Sequence, residues 1–269
     1  MLRIVLFLLI TISSLNAQQF GQDNFGMHPF GQAAFGHESI SAAFSLTDIS
    51  GLNAWFKSEN IPTGADSSTI STSWTDASGN GYDATVAGDP EFLLSAVNGL
   101  NAVYLDGTGD WFNFTWDSSA SVTFFVVSTA RPLGSYMGLL SMCISGTVTG
   151  IVAEYTPAGT LSIRQATGST STQTVDVTTG NTAWQIISVR RDNSTTTMRV
   201  YINGTLKGTE SSQALTFADK NASIGRLYTS LAALGFVGNI AEVALFNTYL
   251  DDTDYDAALN YLNNKFGIY

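Results

Sequence analysis

The chain has 269 residues, 44% hydrophobic and 12% charged, so it carries enough apolar surface for a large core, with Ser, Thr, Asn and Gly supplying most of the polarity. Lys and Arg number 11 against 22 Asp and Glu, a formal net charge of −11; phosphate binding needs clustered cations, so this balance argues against nucleic acid as a partner. Cys143 is the sole cysteine, which excludes an intrachain disulfide and leaves core burial or a bound metal to stabilise the fold.

Residues 1–17 open with Arg3, continue with an apolar run from Ile4 to Ile12 and close on Leu15-Asn16-Ala17. This pattern reads as a secretory signal peptide and predicts a secreted or extracellular protein; an N-terminal strand or buried anchor is the alternative. The run is shorter than the ~20 residues that span a bilayer, and no later stretch qualifies, so no transmembrane span is expected.

Residues 18–44 carry Phe-Gly pairs at Phe20, Phe25, Phe30 and Phe35. A period of five matches neither a strand nor a helix, so the rings cannot share one stripe of either. The segment reads as an extended arm whose phenyl rings seat on an assembly partner, either another copy of the chain or a virion component. A flexible linker that touches nothing is the alternative.

From residue 45 to 269 short apolar or alternating runs are separated by turn residues, which predicts an all-β, antiparallel sandwich of jelly-roll type. Strands are expected at Ser121–Ser128, Gly150–Tyr155, Trp184–Val189, Met198–Ile202 and Ile240–Phe246. Asn203-Gly204 follows Met198–Ile202 and suits the positive φ values of a type I′ hairpin. One C-terminal helix is predicted, because Tyr255, Ala258, Leu259, Leu262 and Phe266 recur at helical spacing. Asp252 or Thr253 is its expected cap and Gly267 its stop, so the acids at Asp251, Asp252, Asp254 and Asp256 read as a helix start.

Several segments together resemble the laminin G-like branch of the concanavalin A-like lectin/glucanase superfamily. They are Gly51–Phe56, the Trp74-Thr75-Asp76-Ala77-Ser78-Gly79-Asn80-Gly81 loop, Val103–Phe112, Trp184–Arg191 with Tyr201–Gly204, Ala222–Arg226 and Phe236–Asn247. The resemblance spans roughly residues 51 to 269 and implies a concanavalin A-like sandwich. Its members include sugar-binding modules, adhesion domains, virion components and glycosidases, and several hold a calcium ion at the sandwich rim. It therefore implies Asp76, Asn80 and Asp106 as candidate Ca2+ ligands, with a hydrogen-bonded turn built by Asp76 and Asn80 as the alternative.

Both histidines, His28 and His37, precede the domain, which removes Ser-His-Asp and Cys-His catalysis and His-rich zinc sites from it. Cys143, beside Leu139, Leu140 and Met142, reads as a core residue. Glycoside hydrolysis needs a carboxylate pair. The alternating acids of laminarinase-like members are missing, since Ile240–Val243 holds only Glu242. The reading is a non-catalytic carbohydrate-binding or adhesion module, with a phage tail or capsid-surface component as the alternative and a glycoside hydrolase behind both. Tyr82, Trp111, Trp116 and Tyr136 lie near turns and are the candidate sugar platforms, although aromatics in such positions more often serve as packing. Trp55, Trp74 and Trp184 are expected in the core, and Arg190 and Arg191 at a solvated strand end.

Overall fold

The computed structural model describes residues 44–131, 134–143, 150–166, 172–178, 182–211, 217, 220–228 and 234–269. The leader and the Phe-Gly positions Phe20, Phe25, Phe30 and Phe35 lie outside the described residues. In chain order the strands are β1 Leu52–Phe56, β2 Ser68–Thr69, β3 Thr85–Ala87, β4 Glu91–Val97, β5 Leu100–Asp106, β6 Trp111–Thr115, β7 Val122–Ala130 and β8 Met137–Ser141. They continue as β9 Gly150–Tyr155, β10 Thr160–Ala166, β11 Thr172–Thr178, β12 Gln185–Asp192, β13 Thr197–Ile202, β14 Thr205–Ser211, β15 Asn221–Ile224 and β16 Val237–Phe246, followed by helix α1, Asp252–Phe266.

Two antiparallel sheets result. The first runs β14-β13-β12-β7-β16-β5-β4-β2, with β1 also on β16; the second runs β11-β10-β9-β8-β15-β6-β3. Between them lies a core that includes Phe56, Trp74, Phe112, Phe124, Val126, Leu161, Val189 and Leu245. A second apolar layer covers the other face of the first sheet, where Trp55, Phe125, Val127, Ile186, Ala244 and Phe246 meet Tyr255, Ala258, Leu259, Leu262 and Phe266 of α1. Strand β7 is therefore buried on both sides, with Phe124 and Val126 facing the other sheet and Phe125 and Val127 facing the helix. Its uninterrupted Val-Thr-Phe-Phe-Val-Val run is what such a position requires.

Helix α1 docks through the five residues whose spacing predicts it. Its cap is Asp251, one residue before the expected position, because the Asp251 carboxylate accepts from the Asp254 amide at 2.9 Å. Gly267 ends the helix at φ 62°, a left-handed conformation that glycine adopts without a Cβ clash. Asn203 and Gly204 turn β13 into β14 with φ 51° and 72°, as a type I′ hairpin demands. Asn203 also accepts the Ile186 amide on its side chain at 2.9 Å, which ties the hairpin to β12.

Candidate functional site

Strand parity builds the site. In β13, Met198, Val200 and Ile202 point into the inter-sheet core, so Arg199 and Tyr201 face the side where α1 lies. In β12, Ile187 and Val189 point inward, and Ser188 and Arg190 share the helix side. Register places Ser188 opposite Tyr201 and Arg190 directly opposite Arg199. The chain leaves β16 through Tyr249 and Leu250, where the Leu250 amide donates to Thr123 Oγ1 at 3.0 Å, and enters α1 at Asp252. The result is a cleft of about 480 Å3 lined by Arg190, Arg199, Tyr201, Leu206, Tyr249, Asp251 and Asp252.

Arg190 is 3% exposed. It donates through Nη1 to Asp252 at 2.7 Å and through Nη2 to the Leu250 carbonyl, and its guanidinium lies 4.4 Å from the Tyr249 ring and 4.9 Å from the Tyr255 ring. Burial disfavours its charge, but the Asp252 carboxylate and the Tyr249 and Tyr201 hydroxyls outweigh that, and its pKa stands above the ordinary arginine value. Asp252 is held below the usual carboxylate range by the hydrogen bond from Arg190 and by its charge. Tyr249 presents its ring to Arg190 and its hydroxyl to Arg199 Nη1. Ser188 meets the Tyr255 hydroxyl at 2.8 Å beneath the cleft. Two tyrosines, a half-exposed leucine, two guanidinium groups and two carboxylates thus share one concavity, apolar surface beside charged groups.

The predicted platforms do not line this cleft. Trp116 is fully buried, edge-on to Phe217 at a centroid distance of 4.9 Å. It continues the inward parity of Phe112 and Phe114, so it is a core side chain and not a sugar platform. Trp111 has the outward parity and is half-buried, but the Arg226 guanidinium lies 4.3 Å over its ring, anchored by Asn113 at 2.7 Å. One face of that indole is therefore already covered. Tyr82 packs its ring on the inter-sheet core, and the hydrogen bond its hydroxyl makes with Asp117 raises its pKa. Tyr136 is 47% exposed and remains open to solvent.

The candidate calcium ligands do not assemble. Asp76 spends Oδ1 on the Trp55 and Ser78 amides at 2.9 Å each, and Oδ2 on the Ser78 hydroxyl at 2.7 Å and the Tyr82 amide at 3.0 Å. Asn80 donates its amide to the Leu52 and Asn53 carbonyls. These two residues make the hydrogen-bonded turn. Asp106 pairs with Val237 at one end of β16, whereas Trp55, which holds Asp76, pairs with Ala244. At ~3.3 Å per residue that stretch of β16 is about 23 Å long, too far for one ion. Among the described residues no cluster of three or more His, Cys, Asp or Glu could hold a metal.

Further expectations need correction. Arg190 and Arg191 are both buried; Arg191 reaches Gln165 at 2.9 Å, Asn193 at 3.0 Å and the Ala120 carbonyl, and burial lowers its pKa to about 10. Trp184 precedes β12 and is half-buried, where it borders a second cleft with Val97, Asn98 and Phe266. Trp55 and Trp74 are buried as expected, and so is Cys143, in a patch with Val152, Leu227 and Tyr228.

A laminin G family model described as Concanavalin A-like lectin/glucanases superfamily matches residues 108–254, more than half of the chain. The chain belongs to the concanavalin A-like lectin/glucanase superfamily. No curated protein matches this superfamily member significantly. Among solved structures it is similar to the binding domain of botulinum neurotoxin DC in complex with SialylT, at 16% identity and TM-score 0.60, over 81% of this chain and 52% of that one. It is similar to the same domain in complex with rat synaptotagmin II, at 15% identity and TM-score 0.59 over 81% and 52%. A botulinum neurotoxin type C structure, described through interaction with two ganglioside molecules, matches at 16% identity and TM-score 0.56 over 72% and 51%. This superfamily member spans about half the length of those chains, and the likeness is one of fold.

Proposed function

We propose that this domain is a non-catalytic glycan-binding or adhesion module that engages sugar in the cleft between β13 and the start of α1. The observation that carries the reading is the convergence of Tyr201, Tyr249 and Leu206 with Arg190, Arg199 and the Asp251–Asp252 pair in that concavity. The superfamily of sugar-handling sandwiches supports it, as do the glycan-complexed domains that share the fold. The buried acids support binding over hydrolysis: Glu242 is engaged by Lys265 and Trp55, Glu154 by Arg164, and Asp110 by the Asp89 and Asp106 amides. The leader pattern from Arg3 to Ala17 supports placing the module outside the cell, and no described helix is long and apolar enough to cross a membrane.

The test is an array of glycans probed with the wild-type protein and with Tyr201→Ala and Tyr249→Ala. Binding that both variants lose while still unfolding cooperatively above the assay temperature is expected. Retention of no glycan, or release of reducing sugar from a β-glucan by the pure protein, overturns the proposal. The Phe-Gly repeat keeps a virion or assembly role in view as a second reading; it predicts that deletion of residues 18–40 abolishes incorporation into particles, and unchanged incorporation refutes it.

A further inference from the structure

We propose that the cleft selects a glycan carrying an isolated uronic acid, whose carboxylate seats on Arg199. This rests on the glycan-binding reading and adds the charge of the ligand. Arg190 and Arg199 are a direct cross-strand pair of like charges, an arrangement that costs stability unless anions lie beside it. Asp252 pairs directly with Arg190 and lies near enough to Arg199 to feel its charge. Arg199 forms no ion pair among the described residues, and its one described hydrogen bond goes to the Tyr249 hydroxyl.

The hydrogen-bond inventory points the same way. Tyr249 accepts from Arg199, so its own hydroxyl hydrogen is left to donate elsewhere. Arg190 Nε is buried with no partner, and the remaining N–H groups of the Arg199 fork make no described hydrogen bond. The acids that line the cleft are already engaged: Asp252 by Arg190, and Asp251 by the Asp254 amide as the helix cap. A cleft with surplus donors favours a ligand with surplus acceptors. Sugar hydroxyls both give and take hydrogen bonds, whereas a carboxylate only accepts, and its two coplanar oxygens match parallel guanidinium N–H groups. The half-exposed Leu206 and the Tyr201 ring supply apolar surface for the sugar ring. A net charge of −11 repels a densely charged polyanion, which favours a single acid group within a largely neutral glycan.

The experiment measures affinity for matched oligosaccharides that end in glucuronate or galacturonate, in the carboxyl-reduced neutral hexose, or in the 6-sulfated hexose. The uronate member should bind about tenfold or more tightly than its neutral counterpart. Arg199→Met should erase that preference, the uronate and neutral members then binding with equal affinity, and Arg199→Lys, which keeps the charge but loses the planar fork, should restore part of it. Equal affinity for uronate and neutral sugars overturns the inference and leaves the glycan reading standing. Failure to bind any sugar here or on the array overturns both. Preference for the sulfate ester, or a uronate preference that survives in Arg199→Met with an unchanged melting midpoint, overturns the assignment of the carboxylate to Arg199.

Discussion

Replacing Lys265 with Met should destabilise the domain by about 3 kcal/mol at neutral pH, the lower end of the ~3–5 kcal/mol that follows loss of one partner from a buried ion pair. Glu242 lies in β16 at 1% exposure and receives Lys265 Nζ on Oε2, Trp55 Nε1 on Oε1 at 2.8 Å and the Ser58 amide at 3.4 Å. Lys265 also pairs with the half-exposed Glu59 at 2.6 Å. The variant leaves the Glu242 charge buried with only the indole and amide donors, which hold the loss to the low end of that range. With an m-value of about 3 kcal/mol/M, the urea midpoint should fall by about 1 M.

The sign of the pH effect discriminates this mechanism from simple loss of packing. Burial pushes the Glu242 pKa above its ordinary 4.5, and Lys265 and Trp55 oppose that only in part. A carboxyl whose folded value is raised binds its proton more tightly in the native state, so stability is regained as pH falls through that raised value. Glu59 has a lowered pKa and the opposite sign; burial opposes the lowering, and the hydrogen bond from Lys265 leads the effects that produce it. That contribution weakens in the variant. The deficit of Lys265→Met should therefore shrink from about pH 8 to about pH 5, and Glu242→Gln in the same background should recover most of it. A loss below about 1 kcal/mol, or a deficit that neither acid nor the second substitution relieves, would refute the reasoning.

Trp116→Ala should cost about 3–5 kcal/mol in denaturant titration because the ring fills the core; a stable variant that selectively loses glycan binding would return Trp116 to the surface role. Asp76→Ala strands the Trp55, Ser78 and Tyr82 donors and should cost about 2–3 kcal/mol. The wild-type melting midpoint should be the same in calcium and in chelator, and a calcium-dependent shift that Asp76→Ala abolishes would contradict the separation of Asp76 from Asp106. Gly204→Ala should cost about 1–3 kcal/mol by melting, since a Cβ there would sit at φ 72° and 2.9 Å from Leu259 Cδ2.

The sandwich was legible in the sequence wherever one signal governed one element. The Val122–Val127 run, the alternation of Met198–Ile202 and the Asn-Gly turn each act locally, and the structure carries them as β7, β13 and their hairpin. The helix was legible to within one residue, because its apolar spacing fixes the docking face while several adjacent aspartates compete to cap it. The short strands β2 and β3 carry no periodicity to read, being two and three residues long. Trp116 was misplaced for a related reason: it lies past the end of β6, where turn chemistry suggests exposure, yet the strand's parity still directs its ring inward.

The cleft was harder to see because its parts are distant in sequence and become neighbours only through register. Arg199 and Tyr201, two residues apart in an alternating strand, already share an outward face, and that much can be read directly. That Arg190 stands opposite Arg199 needs the β12–β13 pairing, and that Asp252 and Tyr249 complete the site needs α1 to cross the sheet. The helix is tethered at both ends by ion pairs of different kinds. Asp252, whose side chain is 91% exposed, holds Arg190 at one end, and Lys265 holds the buried Glu242 at the other. The first joins an exposed carboxylate to a buried guanidinium, so it both fixes the wall of the cleft and compensates the Arg190 charge; the second is buried on its acidic side and secures the helix. Asp252→Asn should therefore weaken glycan binding and lower the melting midpoint modestly, since the amide oxygen still accepts from Arg190, while Lys265→Met should lower the midpoint further and leave the affinity of the folded fraction unchanged. The reverse pattern would mean that the helix does not divide the two tasks between its ends.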